Sequence, residues 1–247
     1  MSEAWHEGRV IENRRWTESL WSLRVEGVPL GFEAGQFVRI GLDIAGERVA
    51  RPFSFVNPPQ DPLLEFYGVT VPEGTLSRKL AALRPGERLY VARNPAGFLV
   101  LSEVPAAESL WLISTGTGIA PFLSMLRTDT PWKRFRSVVL VHAVRHERER
   151  VYREIVSEAA ALHPQLKYVT FVSREPAPDA LAGRVPAAIA DGRLERAAGV
   201  ALDPATSHVM LCGNPDMLRD TQAALGLRGL RKHRRRTPGH VSVESFW

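Results

Sequence analysis

The chain has 247 residues, 45% of them hydrophobic, and 32 basic against 27 acidic residues give a net charge of +5. That length forms one large or two ordinary domains with real cores, and no uncharged apolar run approaches the roughly 20 residues that cross a bilayer. The only cysteine, Cys212, excludes an internal disulfide, and it excludes an iron–sulfur cluster held by about four cysteines of this chain. Met1 to Arg9 lacks an apolar signal core, so a cytoplasmic location is the expectation.

Residues 1–103 read as β-structure. Short apolar or alternating runs lie at Arg9–Glu12, Leu20–Val25, Gln36–Ile40, Val49–Phe55, Leu63–Val69 and Arg88–Val91. Gly27, Gly35, Gly46, Asn57-Pro58-Pro59 and Pro85-Gly86 punctuate them. Many short strands at this spacing predict a small antiparallel barrel. One helix interrupts over Thr75–Leu83, with Leu76, Leu80 and Leu83 on one face. Ser102–Glu108 reads as a linker.

From 104 to 247 strands alternate with helices, which predicts parallel βαβ units and a doubly wound sheet. Leu110–Ser114 is a buried strand, followed by Thr115-Gly116-Thr117-Gly118-Ile119-Ala120-Pro121 and a helix to about Arg127. Further strands are expected at Ser137–Val144, Leu166–Val172 and Ser207–Cys212, with helices over Arg148–Leu162 and from Gly213 to about Leu225. Ligands bind at the carboxyl ends of such strands. Ala143, Val144 and Arg145 are therefore candidate nucleotide contacts. His142 reads as a core or rim histidine. Glycines between a strand and a helix let backbone approach a diphosphate.

Arg51-Pro52-Phe53-Ser54-Phe55-Val56-Asn57 combines a cation, an aromatic ring, a hydroxyl and an amide on one extended segment. In a strand Arg51, Phe53 and Phe55 share a face, opposite Pro52, Ser54 and Val56. An arginine suits a phosphate and a flat ring suits stacking. The stretch resembles the Arg-x-Tyr-Ser flavin signature of the ferredoxin–NADP reductase family, in its bacterial ferredoxin/flavodoxin branch. Gly-Thr-Gly-Ile-Ala-Pro at 116–121 is similar to that family's pyridine-nucleotide turn, and Cys212-Gly213-Asn214-Pro215 to its Cys-Gly-x-Pro motif. The resemblance covers almost the whole chain.

It implies FAD and NADP(H) as cofactors, an acidic ferredoxin or flavodoxin as partner, and no metal of the chain's own. Arg51 and Pro52 would meet the FAD diphosphate, Phe53 one flavin face and Ser54 the reactive N5. Phe53 stands where the family has Tyr, which removes one hydroxyl. Phe66, Tyr67 and Val69 would line the FAD. Gly74, Thr75, Leu76 and Ser77 would hold its diphosphate at a helix start, and Thr117 would lie where the two cofactors meet. Gly116, Thr117 and Gly118 would take the NADP diphosphate, and Ser173, Arg174 and Arg184 its 2′-phosphate. Glu175 is the one feature that argues for NAD. Cys212, Gly213, Asn214, Pro215 and Asp216 would border the nicotinamide, with Ser54, Cys212, Glu244 and Phe246 as the catalytic group. Phe246 and Trp247 would return to the flavin. Reading the residues alone, the end is instead a final strand.

Arg228, Arg231, Lys232, Arg234, Arg235 and Arg236 crowd one segment. Such a patch attracts something acidic. Arg231, Lys232, Arg234, Arg235 and Arg236 are the expected carrier contacts. An oxygenase reductase component and a non-catalytic nucleotide sensor are the rival readings. No nucleic-acid module accompanies the patch.

Overall fold

The structure is a computed structural model, and it describes residues 4–245. β1 (Trp5–Arg15), β2 (Leu20–Glu26), β3 (Phe37–Ile44), β4 (Glu47–Ser54), β5 (Leu64–Val69) and β6 (Arg88–Ala92) form one antiparallel sheet in the order β4-β3-β6-β1-β2-β5. A bridge between Phe55 and Phe66 brings the two outer strands together and curls the sheet into a barrel. α1 (Thr75–Ala82) buries Leu76, Leu80 and Ala81, packing them in a core with Trp21, Phe55, Phe66 and Leu89. The apolar spacing that predicts this helix is what fastens it to the barrel.

The remaining elements are β7 (Ser109–Thr115), α2 (Ala120–Leu126), α3 (Thr130–Arg134), β8 (Ser137–Val144), α4 (Arg153–Leu162), β9 (Leu166–Val172), β10 (Leu181–Ala182), α5 (Val185–Ala190), α6 (Arg193–Ala198), β11 (Ser207–Gly213), α7 (Pro215–Leu227) and β12 (Val241–Ser245). Their strands make a second, parallel sheet, β10-β9-β8-β7-β11-β12. The chain steps outward from β7 on one side and returns to β11 on the other. The order therefore reverses between β7 and β11, the place where such sheets open a ligand crevice. β7 and β11 are buried on both faces. That explains their unbroken apolar runs, where an antiparallel strand would alternate.

One apolar core passes between the two sheets. Leu20, Val56, Tyr67 and Leu99 from the barrel side pack with Leu110, Leu112, Phe122, Met125 and Met210 of the parallel sheet and its helices. Side-chain hydrogen bonds cross the same boundary. Ser124 Oγ donates to the Asn57 carbonyl at 2.7 Å, Tyr152 Oη to Glu65 Oε1 at 2.7 Å and Gln60 Nε2 to the Arg127 carbonyl at 3.1 Å.

Three features differ from expectation. The helix expected over Arg148–Leu162 begins only at Arg153, because Tyr152 is left-handed (φ 60) and residues 147–149 form a separate 3-10 turn. Tyr152 leaves the helical path to reach Glu65. The presumed linker 102–108 is packed: Val104 is buried, and the Arg134 guanidinium donates to the carbonyls of Leu101, Val104 and Pro105. Val241–Ser245, where the residues alone predict a final strand, is an edge strand in register with β11. Phe55 turns into the barrel core and stacks on Phe32, centroids 3.8 Å apart, instead of sharing an outer face with Arg51. Among the described residues no helix is long and apolar enough to cross a membrane.

Candidate cofactor and nucleotide site

A cavity of about 500 Å³ opens at the carboxyl ends of β7, β8, β9 and β11. Of the residues expected to hold the nucleotide, Gly116, Thr117, Ala143, Val144, Arg145, Ser173, Arg174, Arg184, Gly213, Asn214 and Asp216 line it. The ends of β7, β8, β9 and β11 deliver most of them and the turn between β10 and α5 delivers Arg184, so residues up to about a hundred positions apart meet in one crevice. Arg145, Arg174 and Arg184 are exposed at its mouth. Among the described residues none of the three is ion-paired. Backbone ties set the rim: Arg174 N donates to the Arg145 carbonyl at 2.9 Å, and Ser173 Oγ to the Val144 carbonyl at 3.2 Å.

Glu175 does not line this cavity. Its Oε1 accepts from the Glu147 backbone N–H at 2.5 Å, and its Oε2 lies 3.3 Å from His146 Nδ1. Those contacts hold its carboxyl below the usual carboxylate range. Glu175, the acid that argues for NAD, is thus already partnered.

Gly118 stands behind the lining. A Cβ there would lie 2.5 Å from the Cys212 carbonyl oxygen, closer than any side chain tolerates. The turns after β7 and β11 can touch only because position 118 is glycine. Asn214 N donates to Thr115 Oγ1 at 3.0 Å and sews the same turns together. Asn214 Oδ1 accepts from Asp216 N and caps α7, whose first helical residue is Pro215.

Ser54, Cys212 and Glu244 lie near the junction of the barrel with β11 and β12. Ser54 is 2% exposed and its Oγ has no partner among the described residues. Its register partner Phe37 bonds through its backbone with Ala96, and the ring of Phe37 packs by Gly97. A Cβ on Gly97 would approach Glu244 Oε2 to 2.8 Å. Glu244 Oε1 is also unpartnered, and burial pushes this carboxyl up to about 7. Cys212 is fully buried between Ser114 and Glu244 in the register, and burial, then the Glu244 charge, keeps the thiol protonated.

The flavin-side expectations divide. Arg51 and Pro52 are exposed, with Arg51 Nη1 donating to the Ala50 carbonyl at 2.8 Å. Phe53 is half-buried, tilted 43° to Trp21. Gly74 is the N-cap of α1 with no side-chain cap, and Thr75 beside it is exposed. Ser77 Oγ folds back to accept from Val71 N. Phe66 and Leu76 spend their side chains on the barrel core, so only their backbone is available to a ligand. Tyr67 is buried in the shared core, edge-on to Tyr152, with an unpartnered hydroxyl. Val69, at the end of β5, and Thr117, in the turn after β7, line the same cavity from the two sheets. Phe246 and Trp247 lie outside the described residues.

The model for an oxidoreductase NAD-binding domain matches residues 112–223. The flavodoxin/ferredoxin–NADP reductases of Shigella flexneri and Escherichia coli K12 are 49% and 48% identical over 245 residues, covering 98% of this chain and 99% of theirs. The chain belongs to that reductase family. Among solved structures, the ferredoxin–NADP reductase of Neisseria gonorrhoeae, with bound FAD and NADP, is similar at a TM-score of 0.94 and 28% identity, over 98% of this chain and 99% of that one.

The rim also holds residues that the motifs do not announce. Ser19, in the β1–β2 turn, and Leu20, at the start of β2, reach the cavity, as do Thr115, Glu149, Gly183 and Met217. Nothing in the Ser19 region signals this; only the docking of the barrel brings it there. A second crevice, about 480 Å³, lies between residues 96–99 and the basic segment. Lys232, Arg234 and Arg235 line it, with exposed Phe98. Arg235 pairs with Glu103 and sits 4.1 Å over the Phe98 ring. Arg228 is paired with Glu195 and does not belong to the patch. No cluster of three or more metal-ligating side chains occurs among the described residues.

Proposed function

We propose that this protein is an FAD-dependent reductase that moves electrons between NADPH and a one-electron carrier, ferredoxin or flavodoxin. The observation that carries the reading is the cavity where three unpaired arginines and two glycine turns converge; apart from it, Ser54 Oγ and Glu244 Oε1 are buried without partners among the described residues, Glu244 lining the second crevice. Buried polar groups without partners are costly unless something else satisfies them, and Ser54 Oγ and Glu244 Oε1 fit the hydrogen-bonding edge of a flavin ring. The residues present therefore fit both cofactors. Residues 1–103 form the flavin-binding half in this reading, and 104–247 the nucleotide-binding half.

Bound flavin supplies the conversion of a two-electron hydride into single electrons. The chain supplies position and charge. Arg51 and the uncapped start of α1 take the FAD diphosphate, and Phe53 packs on the ring. Arg174, Arg184 and Ser173 grip the 2′-phosphate, with Glu175 held aside. Gly116–Gly118 take the NADP diphosphate. The neutral thiol of Cys212 excludes water and sets the depth of the nicotinamide. Glu244 holds a proton on its carboxyl up to about pH 7. Arg231, Lys232, Arg234, Arg235 and Arg236, with the crevice beside Phe98, receive an acidic carrier and speed its arrival.

The test is an anaerobic titration with NADPH and, separately, NADH, followed by flavin absorbance. Bleaching at far lower NADPH than NADH is expected; a yellow protein indifferent to both overturns the reading. Reversing the charges of Lys232, Arg234 and Arg236 should flatten the salt dependence of carrier reduction, and an unchanged dependence removes the docking assignment.

A further inference from the structure

His142 is fully buried on β8, directly behind the glycine turn. Its Nε2 lies 3.1 Å from the Gly116 carbonyl oxygen. A carbonyl only accepts, so Nε2 carries the proton. Burial, with the Arg150 cation nearby, pushes the imidazole down to about 4. The ring is therefore neutral at physiological pH, with one N–H, and Nδ1 has no partner among the described residues.

Its polar neighbours are occupied elsewhere. Ser114, its register partner on β7, donates to the Val141 carbonyl at 2.9 Å. Thr170, its partner on β9, donates to the Asp179 carbonyl at 3.2 Å. Arg150 is bidentate to Asp179 and also binds Glu147. The bond to Gly116 is thus the one hydrogen bond the structure records for the ring. An unpartnered buried nitrogen costs free energy, so a histidine here is a poor choice for a core filler.

Gly116 has φ +52, and a Cβ built there meets nothing within 4 Å. The peptide is open on the cavity side and anchored on the sheet side. In a trans peptide the carbonyl and the next N–H point to opposite sides. Fixing the Gly116 carbonyl inward therefore sends the Thr117 N–H outward, where Gly116 and Thr117 line the cavity.

We propose that His142 is a positioning residue for the nucleotide diphosphate: its Nε2–H holds the Gly116 carbonyl against the sheet and so aims the Thr117 N–H at the ligand. The proposal rests on the reading of this cavity as the NADP(H) site. His142 touches neither reacting atoms nor ligand, and its effect is on binding geometry.

Calorimetric titration of the FAD-loaded, oxidised protein separates the possibilities. NADP+ uses the diphosphate turn, whereas adenosine 2′-phosphate engages only the arginine rim. His142→Phe should weaken NADP+ by about tenfold, as expected for one lost orienting hydrogen bond, and leave adenosine 2′-phosphate within about twofold. His142→Gln places an amide N–H near the same point and should restore most of the NADP+ affinity. Unchanged NADP+ binding in His142→Phe overturns the proposal. So does a proportional loss of both ligands, or a Gln variant as weak as Phe. A wild-type protein that binds neither ligand marks failure of the cavity assignment itself, before any variant is compared. Nitrogen-15 spectra of the wild-type histidines give a second readout that needs no variant. An Nε2–H tautomer for His142 whose signal moves with NADP+ but not with adenosine 2′-phosphate is expected. An Nδ1–H tautomer, or a signal unmoved by NADP+, overturns it.

Discussion

Tyr152→Phe removes one oxygen from the seam between the two sheets, and its cost should depend on pH. The hydroxyl donates to Glu65 Oε1 at 2.7 Å, and burial raises the Glu65 carboxyl above its ordinary range while this bond opposes the rise. A hydrogen bond to a charged group contributes about 1.5–3 kcal/mol. For a chain of this size that corresponds to a fall in Tm of roughly 3–12 °C when Glu65 is ionised. The sign follows from linkage. A carboxyl whose folded pKa is raised withdraws stability as pH rises from its unfolded value through its folded one. Without Tyr152 the folded value rises further, so the withdrawal is larger. The gap between wild type and variant should widen from pH 4.5 to pH 8, where at the acid end only a neutral bond of about 1 kcal/mol is lost. Thermal unfolding of the FAD-loaded proteins at the two pH values, with Glu65→Gln and the double variant completing a cycle, is the assay. A gap equal at both pH values, or a double variant that merely adds the two single effects, would refute the reasoning.

Arg174→Ala and Arg184→Ala should each weaken NADPH about 10- to 100-fold, the worth of one charge-assisted contact, with NADH nearly unaffected; steady-state KM values for both nucleotides check this. Gly118→Ala drives a Cβ to 2.5 Å from the Cys212 carbonyl and should cost about 2–4 kcal/mol, seen as a lower Tm together with lost nucleotide affinity. Glu244→Gln removes a buried carboxyl pushed up to about 7. Wild type loses that stability as pH rises from about 4.5 to 7, so the variant should match it at pH 4.5 and exceed it at pH 8 by about 1–3 kcal/mol, read from melting curves at the two pH values.

Wherever local pattern decides structure, the sequence was a good guide. Ser137–Val144 and Leu166–Val172 are strands to the residue, because a buried parallel strand reads as an apolar run with charged flanks. The cavity rim was legible for the same reason, since its residues follow strand ends. What escaped depends on contacts between distant residues. Nothing near Tyr152 announces a left-handed residue; its reason is Glu65, 87 positions away. Arg228 reads as part of a basic patch until Glu195, 33 positions away, neutralises it. Phe66 and Leu76 match a binding motif, yet the motif cannot distinguish a side chain that faces a ligand from one that anchors the barrel. Short α3, α5 and α6, of five or six residues each, carry too few turns for a period to register.

The apolar core that runs unbroken from Leu20 and Val56 to Phe122 and Met210 has a bearing on how the molecule works. Proteins that swing two lobes about a hinge keep the surface between them wet and polar, so that parting costs little. Here the seam is apolar, and hydrogen bonds from Ser124, Tyr152 and Gln60 bolt it. Opening it would expose the interior of both halves at once. The two halves are therefore fixed relative to each other, as on a single casting, and traffic through the cavity must be managed by side chains and short loops at its rim.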